Sequence, residues 1–163
     1  MSFEEIKGLI TTHLGGDVVV EANEKALQPY LQIQTEKIAE VGKILHKSGF
    51  DHLACITGID NGTALATLEV VYHLYAILQA TSLTLKVKMP RNAANEPSPV
   101  VPTLSHIWRA ADWHEREVFD MLGIEFAGHP DMRRILLPAD WQGFPLRKDY
   151  EAQALYRGTT VKY

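Results

Sequence analysis

Histidines and carboxylates gather between His106 and His129, and any catalysis by this 163-residue chain would start there. His114-Glu115 begins like a zinc-peptidase motif, which needs two histidines one helical turn apart and a glutamate beside the first. Val118 occupies the second histidine's place, so the motif is absent. A scattered metal site from His106, His114, His129 and Glu117 competes with the ordinary use of histidine on surfaces and in cores. Glu117 and Asp120, three residues apart, have the spacing of an acid–base pair. With Arg116, Arg133 and Arg134 nearby, structural ion pairs account for them better. Cys55 lies in the apolar run His52-Leu53-Ala54-Cys55-Ile56, where burial leaves a thiol inert. One cysteine also excludes an intramolecular disulfide and any all-cysteine zinc or iron–sulfur site. No Gly-x-Ser-x-Gly, phosphate-cradling glycine loop or Gly-x-Gly-x-x-Gly occurs, so no visible motif binds NAD, flavin or a nucleotide.

These residues sit in a stretch whose composition points elsewhere. Asp112 to Asp149 is dense in charge, glycine and proline, and all three tryptophans (Trp108, Trp113, Trp141) fall in it or just before it. Arginine, carboxylate and tryptophan interleaved in this way form a surface suited to meeting another protein. Asp112-Trp113-His114-Glu115 reads as a capping box opening a helix that Gly123 closes. On that helix Val118, Phe119, Met121 and Leu122 share the core face. Trp113, Arg116, Glu117 and Asp120 share the other, with Arg116 and Asp120 paired one turn apart. That second face is either solvated or a desolvated partner contact, and Trp113 argues against full exposure. Beyond it, Gly128-His129-Pro130, Leu137-Pro138 and Trp141-Gln142-Gly143-Phe144-Pro145 interrupt regular structure. They predict an ordered extended segment lying on the chain's own surface or a partner's.

The elements that must hold this stretch lie upstream. A helix is expected over Ser2–His13, stopped by Gly15-Gly16, with strands over Asp17–Glu21 and Gln28–Gln34. Thr35 reads as the N-cap of a helix to Ser48 closed by Gly49. Strands follow at Asp51–Thr57, ended by a Gly58–Gly62 turn, then at Leu65–Ala76 and Ser82–Met89. The last two form an antiparallel hairpin through Gln79–Thr81. Their alternation puts one face under helices and leaves the other wet or docked. Arg91–Pro102, with three prolines, reads as an extended loop. A net charge of −4 gives no case for nucleic acid. The N-terminus lacks the marks of a signal peptide. The most apolar run, Ala64–Ala80, is broken by Glu69 and His73 and is too short for a span of roughly 20 residues.

Glu115-Arg116-Glu117-x-x-Asp120-Met121-Leu122, followed by His129, Arg133 and Ile135-Leu136, resembles a family signature. It continues through Leu136-Leu137-Pro138-x-Asp140-Trp141-x-Gly143-x-Pro145-Leu146-Arg147-Lys148-Asp149. The resemblance is to the C subunit, also called the 30-kDa subunit, of respiratory complex I, the NADH:quinone oxidoreductase. Ile56–Asp60, Val71–Leu74 and Pro102–Trp108 extend it to about Phe50–Tyr150, while residues 1–34 match loosely.

The resemblance implies an α+β fold: a mixed, largely antiparallel sheet covered by helices on one face, followed by an extended C-terminal docking segment. Residues 1–102 would be the sheet-and-helix core. Residues 103–150 would complete the same domain and dock to a partner, with 151–163 as a tail. It further implies a structural, non-catalytic subunit of the hydrophilic arm of a proton-translocating enzyme, docked to the D subunit near the quinone site. The chain itself would bind no cofactor; FMN, iron–sulfur clusters, NADH and quinone would belong to other subunits. Membrane association would be indirect, on the cytoplasmic side of the inner membrane. The expected interface and signature residues are Trp113, Glu115, Arg116, Glu117, Asp120, His129, Arg133, Arg134, Trp141, Arg147, Lys148 and Asp149. Ferredoxin- or deazaflavin-fed relatives and membrane-bound hydrogenases carry the same kind of subunit. A stand-alone enzyme with a His/Glu site around His114 and Glu117 is the competing reading.

Overall fold

The computed structural model describes residues 1–93 and 96–161. In chain order its elements are α1 (Phe3–Leu14), β1 (Val19–Asn23), β2 (Tyr30–Ile33), α2 (Ile38–Lys47), β3 (His52–Asp60) and the single turn α3 (Gly62–Leu65). Then come β4 (Thr67–Ala76), β5 (Thr81–Pro90), β6 (Val100–Pro102), α4 (Ala110–Leu122), β7 (Glu125–Ala127), β8 (Leu155–Tyr156) and β9 (Thr159–Thr160).

Five strands form one sheet in the order β1-β2-β5-β4-β3. β4 pairs antiparallel with both β3 and β5, and β1 with β2. The one parallel pairing in this sheet joins β2 to β5. The result is the expected α+β fold with a mixed, largely antiparallel sheet. Alternation sends Leu68, Val70, Tyr72 and Leu74 of β4, and Leu83, Leu85, Val87 and Met89 of β5, into one core. Ile6 and Ile10 of α1, Ile38, Val41 and Leu45 of α2, and Val118 and Leu122 of α4 close that core from the helical side. Burial of these side chains, at about 25 cal/mol per Å² of apolar surface, is the main force holding the layers together. Trp108 anchors the lead-in to α4 by donating its indole N–H to the carbonyl of Phe50 at 3.0 Å.

Several boundaries differ from the sequence reading because a tertiary partner outcompetes a local rule. Thr35 does not cap α2: a 3₁₀ turn over Thr35–Lys37 precedes the helix, and the Thr35 hydroxyl donates to the Lys88 carbonyl. The strand expected from Asp17 starts at Val19, because Gly16–Val18 turns Val18 into the core. β3 does not stop before Gly58 but runs to Asp60. Gly58 is there for close approach: a Cβ would stand 2.4 Å from Leu122 Cδ1 and 2.9 Å from Val118 Cγ1. α4 is therefore seated on β3 by the absence of a side chain.

The loop assigned to Arg91–Pro102 ends in β6, which pairs in parallel with β7. The part of that loop at Ala94 and Asn95 lies outside the described residues, as do Lys162 and Tyr163 of the expected tail. The rest of the tail contains the small antiparallel pair β8–β9. Cys55 is half-buried on the sheet face away from the helices, not sealed in the core as its apolar neighbours suggested. Among the described residues no helix is long and apolar enough to cross a membrane.

Candidate docking site

α4 begins at Ala110, two residues before the expected capping box, and Arg109 caps it without a side-chain bond. Glu115 is consequently not an N-terminal cap. It lies fully buried, accepting the Leu104 amide at 2.7 Å on Oε1 and the Thr103 hydroxyl on Oε2. It thus pins the β6–α4 connection onto the helix. Burial, with no cation alongside, pushes its carboxyl up to about 7; the two donors offset this only in part, and Asp112 adds to it. The phenol of Tyr72 is buried with no hydrogen-bond partner among the described residues and is pushed upward by burial and by Glu115.

One turn later the helix carries a clasp. Asp120 is fully buried, and its Oδ2 accepts three successive amides, Ile135, Leu136 and Leu137, at 3.0, 2.7 and 2.9 Å. Its Oδ1 accepts Arg134 Nη1 at 2.8 Å. Burial alone would raise this carboxyl, but the three amides and the guanidinium outweigh it and hold it below its ordinary value. Arg134 then donates onward to the carbonyls of Trp141 and Gly143 at 3.3 and 2.9 Å. The expected Arg116–Asp120 pair does not form. Arg116 turns instead to the Arg133 carbonyl at 3.3 Å and to Asp131 at 3.6 Å, with its guanidinium 4.9 Å from the Trp113 ring.

The segment after the clasp closes the C-terminal end of α4. Gly123, at φ +68°, ends the helix, and the space a side chain would take is filled by Phe144. The Leu146 amide donates to Met121 O at 3.0 Å, and Arg147 Nε donates to Leu122 O. Two carbonyls that a helix end leaves without partners are thus satisfied. The Lys148 amide reaches Asp60 at 2.9 Å, where Arg91 and the Gly62 amide also bond. Burial would raise Asp60, but these donors dominate and hold it at about 2. Arg91 also pairs with Asp149.

The remaining expected residues divide plainly. The His129 side chain is buried, its Nε2 donating to Asp112 O at 3.1 Å and its Nδ1 accepting the Asp131 amide at 3.0 Å. The Trp141 indole donates to Tyr150 Oη, and its ring lies 5.2 Å from Tyr156. Trp113, Glu117, Arg133, Lys148 and Asp149 are exposed, and Arg147 is half-buried. Phe119 and Met121, expected in the core, are half-buried at its edge. Asp60, Arg91, Asn92 and Thr103 belong to the same site, and nothing in the sequence points to that role, since no spacing ties positions so far apart in the chain. As for catalysis, Asp120 is sealed by four donors and cannot work as an acid–base partner of Glu117. His106 and His129 are engaged with backbone carbonyls. No group of three or more His, Cys, Asp or Glu among the described residues could hold a metal ion.

Residues 31–156, which include every part of this network, match the family described as respiratory-chain NADH dehydrogenase, 30 Kd subunit. The chain belongs to that family. It is 41% identical over 153 residues to the C subunit of the NADH-quinone oxidoreductase of Chloroherpeton thalassium, covering 91% of this chain but only 61% of the relative. With the C subunit of the Chlorobium phaeobacteroides enzyme it shares 35% identity, over 91% of this chain and 89% of the relative. The combined C/D subunit of Cronobacter sakazakii is 34% identical across 93% of this chain, which spans 26% of that longer protein. Among solved structures, a chain of the membrane-bound sulfane sulfur reductase, an archaeal respiratory membrane complex, superposes with a TM-score of 0.74. It is 26% identical, with 91% of this chain and 85% of that chain covered.

Proposed function

We propose that this 30-kDa-family chain is a non-catalytic structural and assembly subunit in the hydrophilic arm of a proton-translocating NADH:quinone oxidoreductase, docking to the D subunit near the quinone site. One observation carries the docking role. α4 and the segment after it have their backbone tied down by Asp120, Arg134 and Asp60. Yet Trp113, Leu136 and Leu146 stand 63%, 61% and 60% exposed on them. Large apolar side chains on a rigid, charged frame are what an interface core needs before it meets its partner. The C/D relative supports the D subunit as neighbour, because it joins the two in one polypeptide.

In this reading residues 1–102 are the core, 103–150 complete it and dock, and 151–163 are the tail. Trp113, Glu117, Arg133, Lys148 and Asp149 face the partner, while Glu115, Arg116, Asp120, His129 and Arg134 hold the frame, with Trp141 and Arg147 at its margin. FMN, iron–sulfur clusters, NADH and quinone belong to other subunits, and the chain sits on the cytoplasmic face through its complex. A second reading keeps the structural role and changes the reaction. It is favoured by the likeness to a chain of a sulfane sulfur reductase complex, and covers ferredoxin- or deazaflavin-fed enzymes and membrane-bound hydrogenases.

Recovery of the chain from its native membranes in mild detergent, with mass spectrometry of what accompanies it, separates these readings. The D subunit together with flavin and iron–sulfur subunits is the expected result. Nickel–iron hydrogenase subunits would transfer the role to the second reading. A chain that emerges alone would sink the assembly role and return attention to a His/Glu enzyme.

A further inference from the structure

Four arginines of the described structure are wholly or partly withdrawn from water: Arg91, Arg116, Arg134 and Arg147. Three of them have a carboxylate. Arg91 has Asp60 and Asp149, Arg116 has Asp131, and Arg134 has Asp120. Arg147 has none within ion-pair distance among the described residues. Its Nε donates to Leu122 O and its Nη2 to Asn92 Oδ1 at 2.8 Å, and both acceptors are neutral. The other N–H bonds of the fork make no hydrogen bond in the described structure. Burial, followed by repulsion from Arg91, destabilises the charged guanidinium, and the attraction of Asp60 and Asp149 does not restore it. A partly desolvated cation in this state gains from a carboxylate placed on its open edge, because a planar fork and a carboxylate match bidentately.

There is room for one. Arg147 lines a cleft of about 350 Å³ between Arg91, Asn92, Glu96 and Ser98 on one side and Gln142, Phe144 and Glu151 on the other. We propose that this cleft receives an Asp or Glu side chain of the protein onto which the segment docks, paired with Arg147. The inference rests on the docking role proposed above and names the chemistry of one contact within it. Glu96 and Glu151 on the cleft wall disfavour a freely diffusing anion. A carboxylate delivered by docking overcomes that repulsion, since its translational entropy is lost in the larger interface.

The test uses the full chain carrying Arg147→Lys, assembled in its native membranes and treated with a zero-length carbodiimide. The new amine occupies the guanidinium's place and couples only to a carboxylate in contact with it. An amide link to an Asp or Glu of the docked partner, read by mass spectrometry, is the expected result. A link only to Asp60, Asp149 or Glu96 of this chain, or no link, overturns the proposal. If the variant fails to assemble, the wild-type complex answers by arginine-directed dicarbonyl labelling. Labelling of Arg147 should then fall about tenfold or more from isolated chain to complex, and equal labelling overturns the proposal. Saturable binding of inorganic phosphate at the Arg147 side chain of the isolated protein, followed by nitrogen-15 NMR, would reassign the cleft to a small anion. Failure of the wild-type chain to recover any partner sinks the docking role itself. A self-linked variant inside an intact complex sinks only the carboxylate.

Discussion

Glu115 and Asp120 are carboxylates on the same helix, both without solvent exposure, and their surroundings drive them in opposite directions. Asp120 meets three amides and a guanidinium and stays ionised. Replacing it by Asn leaves the half-buried Arg134 without its counter-charge and weakens a fully buried acceptor of three amides, which should cost about 3 kcal/mol of folding free energy by urea denaturation. A loss of a few tenths would mean that the clasp is already open in water. Glu115 meets a hydroxyl and one amide, and its carboxyl rises to about 7. A folded-state value above the unfolded one means the folded chain binds the proton more tightly. Its contribution is therefore complete below the ordinary glutamate range and declines as pH rises towards 7. Across that interval the decline is worth about 3 kcal/mol at most. Glu115→Gln should abolish it, so that stability measured from pH 5 to 8 falls for the wild type and stays level for the variant; parallel curves would refute the assignment. Asp60, held at about 2, acts in the opposite sense. Its stabilisation is present above the ordinary aspartate range and is lost as pH falls through 2.

Elements meet where the sequence provides space as much as where it provides bulk. α4 lies on β3 at Gly58, and a methyl group there would collide with Leu122 and Val118. Gly58→Ala should therefore cost about 2 kcal/mol by overpacking while the fold persists. Gly8, in the exposed middle of α1 with nothing within 4 Å of an added Cβ, is the control: Gly8→Ala should stabilise by up to about 1 kcal/mol through helix propensity. Paired denaturation curves of the two variants read the contrast, and equal shifts would deny Gly58 its seating role. The same elements show why local rules failed at Thr35 and Asp112. Each is a sound N-cap residue, but Thr35 is bonded to Lys88 of a neighbouring strand, and α4 starts before Asp112. β6 and β7, three residues each and paired across more than twenty positions, carry no periodic signal long enough to read.

For the whole molecule, the clasp means that the segment from Pro130 to Tyr150 is already tied to the chain's own fold without a partner. The amides of Ile135, Leu136, Leu137, Leu146 and Lys148 already have acceptors in Asp120, Met121 and Asp60. Hydrogen exchange should find these five slow in the isolated chain and little changed on assembly. Other amides between Pro130 and Tyr150 should slow when the partner covers them. If the five exchange freely in isolation, the segment folds only on its partner, and the preformed frame is wrong.

Alternation in β4 and β5, the helical spacing of α1, α2 and α4, and the glycines that stop helices are local in origin, so most of the longer elements are legible in the sequence to within a few residues, while the α+β class came with the family resemblance. The signature from Glu115 to Asp149 likewise determined the family, because residue types at set spacings survive without knowledge of contacts. Which carboxylate meets which cation is not local. Asp120 takes Arg134 rather than Arg116, Asp60 takes Arg91 and the Lys148 amide, and Glu115 takes no cation at all. Those choices follow from burial and from where distant segments pass each other. Contacts between segments far apart in the chain separate the charges of the signature that hold the fold from those left facing outward.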